Sequence, residues 1–293
     1  MNWIQQLKQT ILAFALALIL IGASFSDAAL AQSGSGPPSF FRDILTRVRT
    51  IFVPPRQIGT PTGRKYGGAG RGAQCPPVEQ PLAALVPVLS VERDRPEGQE
   101  EAERAIASSY VWGKTIEPNP TLWFYVPYQA SEALNSAKFM LLDAEKHPVL
   151  TQPIPITLSG TPGIIGFRIP YTLEPDRLYN WYFSIVCDVD RPSRNTGVRG
   201  WIQRVEPPFA LTLALEQATL SKRHVAYAEQ GIWYDVVTTL AENRRSNPQD
   251  AVVQADWADL LEFLTLSELE SNPIIDSCTS RADAEENSSP LVR

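Results

Sequence analysis

Apolar and polar positions follow three different rhythms along this chain. Ile11 to Ala23 is an unbroken apolar run of thirteen residues. Lys8 precedes it, and small and polar residues ending in Ala29-Leu30-Ala31 follow it. That order of charge, apolar run and A-x-A site predicts a cleaved export signal over residues 1–31. The run is shorter than the roughly 20 residues that cross a bilayer. After a Gly/Ser/Pro linker, apolar residues at 40, 41, 44, 45, 48, 51 and 52 predict a helix over Ser39–Val53, stopped by Pro54-Pro55. Its polar face carries Arg42, Arg47 and Arg49. Such a helix lies on a membrane surface or docks on its own domain.

From Leu82 the rhythm shortens to that of strands. Leu82–Leu89 is the first expected strand. Leu122–Tyr128 (LWFYVPY) is apolar on both faces, as in a central covered strand. Lys138–Asp143 and Pro148–Leu150 flank a turn, and Ile154/Ile156/Leu158 and Ile165/Phe167/Ile169 alternate. Tyr179, Trp181, Phe183, Ile185 and Cys187 share one face by period two. Val198–Val205 closes the series before Pro207-Pro208. About seven short strands over residues 82–206 predict a β-sandwich domain spanning residues 79–206. The spacing Leu173-x-Pro175-x-x-x-Tyr179 resembles the tyrosine corner of fibronectin type III and immunoglobulin-like sandwiches.

Residues 207–270 turn helical. Gly231, Trp233, Leu240 and Pro248, then Trp257, Ala258 and Leu261, resemble one and a half tetratricopeptide-type repeats. Too few repeats are present to stand alone, so these helices are expected to pack on the sandwich or on a partner. The fold class is therefore an immunoglobulin/fibronectin-like β-sandwich followed by a short helical repeat-like segment. Residues 32–78 form a basic arm before it, and residues 271–293 an acidic tail after it. LWFYVPY, PGIIGFRIP, YNWYFSIVCD, GWIQRVE and GIWYDVVTTLAENRRSNP, in this order, resemble an uncharacterised family of exported cyanobacterial proteins, domain of unknown function 928. The resemblance spans roughly residues 56–265. It implies an envelope or periplasmic location and supplies no activity and no site residues.

The net charge of −6 argues against general nucleic-acid binding. Residues 32–75 nevertheless hold seven basic side chains against Asp43 alone, and residues 266–293 hold six acids against two arginines. The bland reading is two solvated ends. The sharper one brings the arm to an anionic membrane face or acidic glycan. Three cysteines remain after cleavage, and we expect Cys75–Cys187 to pair, leaving Cys278 free. GGAGRG at Gly67–Gly72 is followed by prolines where a phosphate-binding loop requires a helix.

No catalytic set, metal site or cofactor is expected. His147 and His224 are the only histidines. Asp188, Asp190 and Asn195 suit backbone capping better than calcium. The leading expectation is a non-enzymatic interaction module of the cell envelope, with Tyr227, Trp233 and Trp257 lining a partner groove. The first alternative is a carbohydrate-binding module that uses Tyr128, Tyr182 and Trp201 as exposed strand aromatics. The second is a hydrolase with dispersed carboxylates, for which Asp143, Asp176 and Glu206 are available.

Overall fold

The computed structural model describes residues 40–51, 63–67, 75–91, 108–129, 131, 134, 136–158 and 162–275. The segment read as an export signal, the GGAGRG segment beyond Gly67, the charged stretch at 92–104 and Cys278 lie outside them. Two sheets face one another. The smaller has the order β1 (Ala83–Ala84), β4 (Thr121–Val126), β7 (Gly163–Arg168), β10 (Ile274–Ile275). The larger has the order β2 (Val88–Val91), β3 (Ser108–Thr115), β9 (Thr196–Arg204), β8 (Leu178–Ile185), β5 (Ser136–Asp143), β6 (Ile154–Thr157). Rings interdigitate between them. Phe124 of β4 stacks on Phe183 of β8 with centroids 4.1 Å apart, and Phe139 of β5 meets Phe167 of β7 at 4.7 Å. This is sandwich packing with an aromatic core.

The period-two face of β8 lies inward: Tyr179, Trp181, Phe183 and Ile185 are all fully buried. The expected corner forms as well. The Tyr179 hydroxyl accepts from the Glu174 amide at 3.1 Å, and Leu173 is buried beneath it. β4 is buried at five of its six positions, in keeping with its unbroken apolar reading.

Three placements differ from the sequence reading. Leu82–Leu89 is two strands in different sheets, not one. β1 pairs with β4, and β2 pairs with β3. Between them the Val86 amide bonds back to Ala84, a tight turn, and Pro87 has no amide to continue a ladder. β3 was not expected. Its Ser-rich start and Gly113 hide a strand that runs parallel to β9. Finally, part of the basic arm is woven into the sandwich. Arg64 exchanges both backbone bonds with Arg199 of β9, and Tyr66 bridges Ala83 of β1, so residues 63–67 cross from one sheet to the other. Lys65 is buried there and donates to the Leu264 carbonyl.

Among the described residues the α-helices are α1 (Phe40–Ile51), α2 (Phe209–Gln217), α3 (Arg223–Glu229), α4 (Trp233–Ser246) and α5 (Ala251–Phe263). α1 docks on its own domain. Phe41, Ile44 and Leu45 are buried, and Phe41 sits edge-on to His224 of α3 at 4.9 Å. Arg42 grips Asp259 at 2.6 Å and Glu262 at 2.7 Å on α5. Phe41→Ala is expected to cost about 3 kcal/mol and to free α1, so that limited trypsin cuts at Arg42 and Arg47 while the remainder resists. Unchanged digestion would contradict this docking.

α3 ends in a Schellman motif. The Ile232 amide bonds to the Tyr227 carbonyl and the Gly231 amide to Ala228, with Gly231 at φ 67°. Gly231→Ala should therefore cost about 1–2 kcal/mol, read from the urea midpoint. Asp250 caps α5 through the amides of Val252 and Val253.

α4 covers the inner surface of β3, next to β4. Its Tyr234 hydroxyl accepts from the Trp181 indole at 2.8 Å and donates to the Trp201 carbonyl at 2.9 Å. Its Thr238 hydroxyl accepts from the Trp123 indole at 3.0 Å, and its Trp233 indole donates to the Leu85 carbonyl at 2.9 Å. A Cβ on Gly113 would meet Trp233 and Tyr234 at 3.0–3.1 Å, so the bare glycine lets α4 approach the strand. The helices thus pack on the sandwich, the first of the two expected outcomes.

Candidate functional site

The outer face of the larger sheet carries a depression of about 550 Å³. Register sets its floor. Met140 of β5, Tyr182 of β8 and Arg199 of β9 are consecutive cross-strand partners, and Lys138 pairs with Ser184 one step along. Period two turns all of these outward while Phe139 and Phe183 fill the core. Arg64 joins the row because its backbone pairs with Arg199. The lining contains Arg64, Lys138 and Arg199 and no acid. Among the described residues none of these three cations has a carboxylate within salt-bridge reach. Tyr182 lies between them, half-buried.

One wall is the 187–195 loop. The disulfide Cys75–Cys187 forms as expected, with Cα atoms 5.1 Å apart. Beyond it the Asn195 side chain accepts from the amides of Cys187 and Asp188, both at 2.9 Å. Asp188 in turn accepts from the amides of Asp190 and Arg191. These oxygens therefore hold the loop's own backbone. Among the described residues no group of three or more His, Cys, Asp or Glu side chains is placed to hold a metal ion.

The other expected site residues are dispersed. Trp201 and Tyr128 are 2% and 6% exposed, which removes both rings from an exposed aromatic strip and leaves Tyr182 alone. Trp233 and Trp257 are likewise buried, at 1% and 0%, so they pack the interior rather than line an open groove. Tyr227 is nearly buried, yet it borders a small cavity beside α4. Asp143 accepts from the His147 amide at 2.8 Å, which holds its carboxyl below the usual range. Asp176 sits in a turn at φ 59°, and Glu206 is exposed after β9. Asp143 thus ends β5, Asp176 precedes β8 and Glu206 follows β9. His224 is fully buried and pairs with Asp256 at 3.0 Å inside the helix layer.

Sequence reasoning missed Asp235, in the first turn of α4. It is 4% exposed, and burial pushes its carboxyl up to about 7, with the nearby Glu117 charge adding to the rise. An acid inside the apolar run Ile232–Val237 was the available signal.

No curated protein and no solved structure matches the chain. The model of the family described as Domain of Unknown Function (DUF928) matches residues 66–274, which take in the sandwich from Tyr66 and the helices α2 to α5, and the chain therefore belongs to that family.

Proposed function

We propose that this chain is an exported, non-enzymatic interaction module of the cell envelope or periplasm, and that a protein partner lays an acidic, extended segment across the outer face of the larger sheet. One observation carries this reading: Arg64, Lys138 and Arg199 surround the half-buried Tyr182 with no acid among the lining residues. Three cations held by backbone pairing, with no carboxylate in salt-bridge reach among the described residues, attract an anion at little ordering cost. Met140 on the floor, with Pro153 and Pro192 at the sides, gives such a segment apolar surface to bury. The thirteen-residue apolar run and A-x-A site support export, and the family resemblance supports a cyanobacterial source. The repeat-like helices act in this reading as a fixed wall behind the sheet.

A carbohydrate-binding role is the second reading, favoured by the Tyr182 ring among those cations, an arrangement suited to an acidic sugar. One titration separates the two. An acidic peptide and an acidic oligosaccharide are each added to the protein and to a triple variant, Arg64→Glu, Lys138→Glu, Arg199→Glu. We expect the peptide to bind the wild-type protein, more weakly as salt rises, and to lose at least about tenfold in affinity on the variant. Binding of the oligosaccharide alone would replace the protein-partner reading, and binding of neither would end both.

A further inference from the structure

A second cavity, of about 240 Å³, opens beside the α4 contact, where the end of β3 and the β3–β4 loop face α3 and α4. On α4, Asp235, Thr239 and Glu242 recur at i, i+4 and i+7 and so share the face that lines it. Glu117 enters from the β3–β4 loop and Tyr227 from α3. Arg168, at the end of β7, is the one basic side chain in this lining. Apart from Pro120 the remainder is hydroxyl and amide, including Thr115, Thr121 and Asn119.

Both carboxylate oxygens of Asp235 are buried and make no close hydrogen bond. Thr115 and the Ile116 amide lie beside them and favour the ionised form only in part. The Thr115 hydroxyl accepts from the Glu117 amide at 3.0 Å and keeps its own proton to donate. A buried carboxylate without a counter-charge is costly, and either a proton or a cation relieves that cost. Three acids against one arginine leave the lining negative, which disfavours an anionic guest. Among the described residues the acids are not grouped closely enough to ligate a metal ion. They are spread around a space that suits a group with several N–H donors.

We propose that this cavity receives an organic ammonium group, either the end of a lysine side chain or a free small alkylamine. The ammonium would donate to Asp235 at the back of the cavity and to Glu117 or the threonine hydroxyls at its sides, with the Tyr227 ring along one wall. Binding requires Asp235 as carboxylate, so affinity rises with pH across the range in which Asp235 loses its proton. The other charged and titratable groups around it are Glu117 and Arg168 from the sandwich, Arg223 and Tyr227 from α3, and Tyr234 and Glu242 from α4 itself. The site is separate from the cationic face of the larger sheet, and charge reversal there leaves it intact.

The test uses the whole protein with three probes: propylamine, its neutral counterpart propanol, and Nα-acetyl-lysine N-methylamide, titrated by calorimetry at about pH 6 and about pH 8. Propylamine is expected to bind at least about tenfold more tightly than propanol at the higher pH, and more weakly at the lower. Asp235→Asn keeps the side-chain shape and is expected to abolish the preference, whereas Glu117→Gln is expected to reduce it about threefold. Binding of the lysine derivative as well as propylamine identifies a lysine side chain as the guest. Binding of propylamine alone identifies a free amine. Equal binding of amine and alcohol, or full amine affinity in Asp235→Asn, overturns the proposal.

Discussion

Replacing Cys75 and Cys187 together by serine is expected to lower the unfolding free energy by about 4–5 kcal/mol. The bridge joins residues 112 apart, so the closed loop takes in every strand from β1 to β8. In the chain-entropy picture, a cross-link over that span removes much of the denatured chain's freedom while the native state keeps its geometry. The native side also has a part. Cys187 follows the last residues of β8, and its amide is held by Asn195 in the loop that walls the cationic depression. Loss of the bridge frees the segment before β1 from that loop. Acidic-peptide binding should therefore weaken along with stability. Urea unfolding of the oxidised protein and of the double-serine variant measures the first effect, and titration in the absence of denaturant measures the second. A stability loss below about 1 kcal/mol would show that residual structure already confines the reduced, unfolded chain.

What the sequence made legible depended on whether the cause was local. β8 could be read because a period-two row of large apolar residues and the Leu173-Pro175-Tyr179 spacing both lie within fifteen residues, and the Tyr179–Glu174 bond realises that spacing. The same is true of α1, whose apolar stripe fixed its helical character. The stripe did not say what covers it. That was set by Arg42 meeting Asp259, 217 residues away. β3 escaped notice because its place depends on a parallel partner, β9, more than eighty residues later. The break at Leu85–Pro87 is likewise decided by two different sheets competing for adjacent residues.

Aromatic exposure was the least legible property. Tyr182 and Trp201 both point outward by strand period, yet only Tyr182 keeps open surface. Strand period assigns a face but cannot tell whether another layer covers it. The candidate depression follows the same logic. Lys138 and Tyr182 could be placed on one face from sequence, but Arg64 arrives there only through its backbone pairing with Arg199.

Asp235→Asn is expected to stabilise the protein above neutral pH, with a gain that appears across a defined window. In the folded chain the Asp235 carboxyl titrates at about 7, against 3.8 for the ordinary group. Between those values the native state still holds a proton that the unfolded chain has released. Stability contributed by Asp235 is thus fully present below about pH 4 and falls as pH rises through about 7. A displacement of that size corresponds to a free-energy change on the order of 4 kcal/mol. Asparagine carries no such proton, so the variant should match the wild-type protein near pH 4, pull ahead between, and hold a constant lead above about pH 7. Lys65 acts in a separate window and with the opposite slope. Burial lowers its ammonium from 10.5 to about 8, so the unfolded chain holds the extra proton and stability recovers from about pH 8 upward. Urea midpoints of both proteins between about pH 4 and 8 isolate the Asp235 contribution from that of Lys65. Parallel profiles would mean that Asp235 is ionised in the folded chain throughout, held by Thr115 and the Ile116 amide. A profile that separates and then levels near pH 7 would show a carboxyl that gives up its proton only when solvent or a cation can take the proton's place.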